Sequence, residues 1–231
     1  MAITTLGRSS GKGSHRPNLN DRVSLVGWYR YRIGMTNIDG ACSSWADASN
    51  SLHPLVQATA SLRPTIRSDG SLAFNGTTQY LRASFALDQP VTVYIAFSPL
   101  THTNADVIFS GVDAAMQLNQ GATAGAYAIN AASALAADGT ISAGAKAVVA
   151  CVFSSTASVV QIASGAASVT TEGDAGANDP EGITLGASIT PGSYSNIAVY
   201  EMAVYSVAHS AAQRLPIMRY LGRVAQVGGI N

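Results

Sequence analysis

The sequence predicts an all-β fold, and three observations carry that expectation. Short runs of β-branched and aromatic residues recur along the chain, glycine-containing turn pairs separate them, and a single segment near the carboxyl end has helical spacing. Many short strands with turn signals between them point to a sandwich or jelly roll rather than to alternating strand-helix-strand units. At 231 residues the chain suits one domain, because all-β domains reach about 200 to 250 residues as single units. Residues 1–22 read as an extended basic arm and residues 23–231 as the domain.

Each element follows from local chemistry. Met1 to Asn20 is rich in Gly, Ser, Thr and Arg and lacks apolar periodicity, so it cannot bury a core of its own. SLVGWYRYRI, Ser24 to Ile33, has the aromatic and β-branched content of a strand, and VTVYIAFS, Val91 to Ser98, alternates like a half-buried one. ADVIFSG near Val107, KAVVACVFS from Lys146, ASVVQIAS from Ala157, GITLGAS from Gly182 and NIAVYEMAVYS from Asn196 supply further strands. Asp69-Gly70, Asn75-Gly76, Asp138-Gly139 and Pro191-Gly192 mark turns between runs. Gly121 to Gly144 is Ala-rich enough for a helix, yet its glycines and small polar residues fit short edge strands and loops equally. From Ser210 to Gly222, Leu215, Met218 and Leu221 share a helical face, with His209 or Ser210 as cap and Gly222 placed to stop the helix. Pro216 must then fall in the first turn or two. The apolar stripe reads as core.

Composition narrows the function classes. Charged residues are 11% of the chain against roughly 25% in an average domain, and the formal net charge is zero, so the body is not a polyanion binder. The charges are uneven: Arg8, Lys12, Arg16, Arg22, Arg30 and Arg32 precede Met35 and face only Asp21. The arm cations suffice for weak, salt-sensitive phosphate contact but not for specific nucleic-acid recognition, and docking on an acidic protein surface suits them better. No apolar run is long enough to cross a bilayer, and the amino terminus lacks the apolar core of a secretion signal, so no membrane partner and no export by that route are expected. Cys42 and Cys151 lack metal-ligand spacing and read as two buried thiols of a protein folded in reducing cytosol.

Catalytic constellations are weak. Glu172, Asp174, Asp179 and Glu181 form the best carboxylate cluster, but the glycines and the Asn-Asp-Pro turn in TEGDAGANDPEG make a loop, whereas a retaining glucanase needs carboxylates held about 5 to 5.5 Å apart on a rigid strand. The same loop lacks the Asp-x-Asp-x-Asp-Gly spacing of a calcium site and reads as solvated surface. His15, His53, His102 and His209 fall in arm, loop or helix-cap contexts with no Gly-x-Ser-x-Gly elbow, and GRSSGKGSH fails the spacing of a phosphate loop. No catalytic residue, metal or cofactor is assigned.

One long stretch has a recognisable pattern. Trp45-x-Asp47-x-Ser49, Gln57, Arg63-Pro64, Leu72-x-Phe74-Asn75-Gly76 and Tyr80-Leu81, followed by ITLG from Ile183, IAVYEMAVY from Ile197 and a helix ending in Tyr220-Leu221, resembles concanavalin A-like domains of the laminin G-like group. The resemblance covers Leu25 to Gly222. It implies a two-sheet jelly-roll sandwich with one short C-terminal helix behind an extended N-terminal arm. A large aromatic in the core and an Asn-Gly hairpin explain the motif as scaffold, with Asp47 and Ser49 holding a loop by bonds to backbone.

Domains of this group serve as carbohydrate-binding modules, receptor-binding modules, glucanases and accessory pieces of bacteriophage virions. The basic arm, the charge-poor Ala/Gly/Ser/Thr-rich body and the absence of a signal sequence lead to the expectation of a capsid decoration protein, made in the host cytoplasm and carried on the virion. Arg8, Lys12, Arg16 and Arg22 would dock on the major capsid protein or another virion protein, and self-association, for instance as a trimer at a symmetry axis, would add avidity. The alternative is a carbohydrate-binding module with Trp45, Tyr127 and Tyr194 stacking on sugar rings.

Overall fold

A computed structural model describes residues 23–49, 51–137, 139–165 and 167–230. Arg8, Lys12, Arg16 and Arg22 lie outside these residues, as does His15. Among the described residues the elements start with β1 (Leu25–Tyr29), β2 (Met35–Ile38), β3 (Ala41–Trp45), β4 (Leu55–Val56), β5 (Thr65–Ile66), β6 (Leu72–Asn75) and β7 (Leu81–Ser84). The chain continues with β8 (Val91–Pro99), β9 (Val107–Ser110), β10 (Gln117–Gln120), β11 (Tyr127–Asn130), β12 (Ala134–Ala137), β13 (Ala147–Phe153), β14 (Ser158–Ser164) and β15 (Ala167–Gly173). β16 (Gly182–Leu185), β17 (Asn196–Tyr205) and the helix α1 (Ala211–Ala225) close it. The all-β class, the single C-terminal helix and the expected runs from Val91 to Tyr205 are all present.

Strand pairing is antiparallel and sorts the strands into two facing runs. β17 is the spine of the first: β6 pairs with Asn196 to Val199 and β1 with Met202 to Tyr205 on one edge, while β8, β13, β14 and β15 follow on the other. The second run takes β2, β3, β4, β7, β16, β9, β10, β11 and β12 in order. β5 joins them, since Thr65 pairs with Ala41 of β3 and with Ala73 of β6. The result is one nearly closed, barrel-like sheet in which no clean break divides two sheets.

Between the runs lies the main core. Phe97 meets Tyr127 edge-on at 5.8 Å and Phe109 meets Phe153 at 6.4 Å, so aromatic rings tie the opposed strands together. A second apolar layer separates β8 and β13 from α1, where Tyr94, Ala96, Val148 and Ala150 meet Ile217, Met218 and Leu221. β8 is buried along its whole length rather than half-buried and alternating as the sequence suggests, because α1 covers its outer face, and β13 is likewise buried on both faces. Ile217, Met218 and Leu221 each contribute about 1.5 to 3 kcal/mol by leaving water.

The helix runs further than the sequence predicts. Ser210 is its N-cap, Gln213 Oε1 accepts the Ser210 backbone N–H at 2.9 Å, and Pro216 falls in the second turn, inside the helix, where its missing N–H leaves the Ala212 carbonyl without an intrahelical donor. Gly222 does not stop the helix but lies within it, and a side chain there would sit 2.5 Å from the Ile230 Cδ1. The stop comes at Gln226, in the left-handed region with φ of 62°. The Ala-rich segment resolves into the β11–β12 hairpin.

Candidate functional site

The stretch from Trp45 to Ile66 builds one wall of a surface groove, and it starts from a buried anchor. Trp45 is fully buried, and its Nε1 donates to the carbonyls of Arg30 at 3.0 Å and Ile33 at 3.1 Å. Two residues on, Asp47 gathers the following loop. Its Oδ1 accepts the backbone N–H groups of Trp28 and Ser49, each at 2.8 Å, and its Oδ2 accepts the Ser49 hydroxyl at 2.7 Å and the His53 N–H at 3.0 Å. The Tyr29 hydroxyl adds a bond to the His53 carbonyl at 2.8 Å. Asp47 and Ser49 therefore hold a loop, as their side-chain chemistry predicts.

Held in this way, the loop turns apolar groups outward. Leu52 has φ of 58° and is 78% exposed, and Val56 on β4 is 47% exposed. A non-glycine residue in the left-handed region carries strain of roughly 1 to 3 kcal/mol, sustained here by the Asp47 bonds on either side. His53 stacks on Phe85 with centroids 4.1 Å apart, and its Nδ1 lies 3.0 Å from the Val26 carbonyl. A carbonyl only accepts, so Nδ1 carries the proton and Nε2 is the acceptor in the neutral ring.

The floor comes from register. Val56, Arg82, Thr184 and Ser110 are successive cross-strand partners on β4, β7, β16 and β9, so their side chains share the outer face while Leu81 and Ala83 enter the core. Arg82 is half-buried there. Its Nε donates to Thr184 Oγ1 at 3.0 Å, an Nη donates to the Ile189 carbonyl, and the guanidinium lies 5.8 Å from the Tyr80 ring centroid. Thr184 Oγ1 in turn donates to the Gly111 carbonyl at 3.0 Å. Leu52, His53, Pro54, Val56, Arg82 and Ser84 enclose an open groove of about 340 Å³.

Other clusters are structural. Glu201 is buried on the outer face because a bulge at Tyr200 shifts the β17 register, and it accepts the Trp28 Nε1 at 2.7 Å and the Tyr31 N–H at 3.1 Å. Burial pushes its carboxyl pKa up, against the lowering effect of those bonds, of Tyr220 and of Arg30. A cleft of about 470 Å³ beside the start of α1 is lined by Thr156, Val159, Glu172, His209 and Arg214. Arg214 is buried there, donating to Gln161 Oε1 at 3.0 Å and to the His209 carbonyl at 2.9 Å. Cys42 and Cys151 are free and buried, and burial pushes the Cys42 thiol up to about 11.

Of the sequence-predicted site residues, Trp45 and Tyr127 are buried in the core and present no ring face to solvent, while Tyr194 is half-buried beside Val107. In the acidic loop, Asp174 accepts the Gly176 N–H and Asp179 the Gln89 N–H, both at 2.7 Å. Among the described residues no group of three or more His, Cys, Asp or Glu could hold a metal ion. The groove residues Leu52, His53, Val56, Arg82 and Ser84 were missed. Only Arg82, a lone cation within the short strand β7, gave a local signal.

No family model matches the chain, and no curated sequence does. Its fold is similar to that of solved structures. One is Trypanosoma rangeli sialidase in complex with 2,3-difluorosialic acid, at 13% identity and a TM-score of 0.60, over 89% of this chain and 34% of that one. Another is domain 4 of AbnA, a GH43 extracellular arabinanase from Geobacillus stearothermophilus, in complex with arabinotriose, at 13% identity and 0.58, over 88% and 98%. A third is the botulinum neurotoxin type G receptor-binding domain, at 9% identity and 0.59, over 87% and 51%. The chain spans about a third of the sialidase, and at these identities the likeness is one of fold.

Proposed function

We propose that this chain is a carbohydrate-recognition module of concanavalin A-like, laminin G-like jelly-roll type, without catalytic activity of its own. The observation that carries the reading is the groove around Arg82: a preformed surface site with an apolar wall and a few fixed polar groups, the usual build of a small-ligand site. The arabinotriose-bound arabinanase domain, similar over nearly its whole length, supports it by analogy of fold. Of the acidic residues at 172–181, Asp174 and Asp179 accept backbone N–H groups, and Glu172 lies on β15 rather than in the loop the sequence predicts. A glycan array probed with the full chain tests the reading. Binding to at least one saccharide, reduced by Val56→Asp in the groove, is expected, and the absence of any bound saccharide would overturn it.

A second reading, the capsid decoration protein, is favoured by one sequence observation: six cations precede Met35 against a single Asp21, ahead of a nearly neutral body. Arg8, Lys12, Arg16 and Arg22 would anchor the chain, alone or as an oligomer, to a capsid or other virion protein. The groove would then face outward from a bacteriophage particle. Co-sedimentation with particles should be lost when all four arm cations become Gln and kept in the Val56→Asp variant. Retention by the arm variant would sink the decoration reading.

A further inference from the structure

We infer that the groove selects a carboxylate-bearing saccharide, with Arg82 as the residue that reads the acid. The inference rests on the carbohydrate-recognition reading and names the ligand class of that site. Arg82 is a permanent cation, and its contacts among the described residues are all to neutral groups: the Thr184 hydroxyl, the Ile189 carbonyl and the Tyr80 ring. In a chain with only 11% charged residues, Arg82 is a half-buried cation that lines an open groove and has no carboxylate partner among the described residues, so an acid in the groove would be the first to pair with it. The two donors engaged with Thr184 and Ile189 fix the plane of the guanidinium. Its remaining N–H groups are left for a planar acceptor, and a carboxylate matches that fork where a neutral hydroxyl does not.

The rest of the groove suits a sugar bearing that acid better than an acidic peptide. Leu52, Pro54 and Val56 form an apolar wall against which the C–H face of a pyranose can lie, Ser84 is an exposed hydroxyl beside Arg82, and His53, its Nδ1 held by the Val26 carbonyl, turns Nε2 to a sugar hydroxyl. The volume of about 340 Å³ is at the lower end of ligand pockets, which run from roughly 300 to 1,000 Å³, and it fits a short saccharide end rather than an extended chain.

The test is an array that pairs uronic-acid and nonulosonic-acid oligosaccharides with their methyl esters and with sulfated and neutral counterparts, probed with the full chain. At least one acid should bind, weakened ten-fold or more by methyl esterification, with Arg82→Gln losing a similar factor and Arg82→Lys retaining part of it. Because Arg82→Gln could disturb the Thr184 and Ile189 contacts, Ser84→Asp is the second variant. It adds a competing carboxylate at an exposed position and should block acid binding with the thermal midpoint unchanged. Equal binding of acid and ester, preference for sulfated or neutral glycans, or indifference to both variants would overturn the inference while leaving the module reading intact. No saccharide bound at all would overturn both.

Discussion

Asp47 lies outside the groove, yet its two carboxylate oxygens collect donors from Trp28, Ser49 and His53 and so set the position of the loop that forms one wall. Asp47→Ala leaves those donors unmet and should cost about 2 to 4 kcal/mol in urea unfolding. It should also weaken saccharide binding without altering any lining residue. Glu201 makes a second residue-scale prediction. Burial lets the folded protein hold this proton to higher pH than the unfolded chain does, so the associated stability is full below the ordinary value of 4.5 and lost as pH rises through the raised folded value. Glu201→Gln should flatten that fall relative to wild type in denaturation midpoints measured from about pH 4 to 8. The bonds of Asp47 to Ser49, or of Asn75 to Thr77, Thr78 and Gln79, are legible in sequence because both partners are neighbours, whereas the Asp47 bond to Trp28 is not. Arg82 is not, because its meaning depends on Thr184, far along the chain. Trp45 and Tyr127 were legible as aromatic, but the direction each ring faces is a property of packing.

At the scale of elements, periodicity located the long strands well. β8, β13 and β17 are long, mostly apolar and buried on both faces and stood out, whereas β4 and β5 are too short to carry a period and were invisible. The end of α1 was misplaced for a physical reason: Gly222 lies within the helix, packed under the tip of Ile230, and does not supply the left-handed turn. The residue that does adopt the left-handed turn is Gln226, whose N–H returns to the Gly222 carbonyl. Gln226→Gly should therefore stabilise the protein by about 0.5 to 1 kcal/mol, seen as a rise in thermal midpoint, by relieving the side-chain penalty of that conformation. Failure to gain stability would mean that the Gln226 contact with Lys146 at 3.3 Å outweighs the strain.

For the whole molecule, the decisive pairing is between the first and last strands, with Leu25 opposite Tyr205 and Tyr29 opposite Met202. Such long-range pairing makes folding slow, on the order of milliseconds to seconds, and leaves few stable partial structures. A chain ending at residue 195 lacks the partner of β1, β6 and β8 and should show no cooperative thermal transition. One ending at residue 209 keeps every strand but uncovers Tyr94, Ala96, Val148 and Ala150, and should bind a hydrophobic dye while retaining β-type circular dichroism. Sequence patterning gave the class of the fold, but closure of the sheet through the two-residue β5 depends on single bridges that no pattern encodes. The β1–β17 pair also sets the mechanics. Leu25 and Tyr205 lie at the same end of an antiparallel pair, and the Ser206 N–H reaches the Ser24 carbonyl at 2.8 Å. Tension applied between residues 23 and 206 would open this pair bond by bond like a zipper, whereas a load between β1 and the groove passes straight into the loop bonds of Trp28 to Asp47 and of Tyr29 to His53.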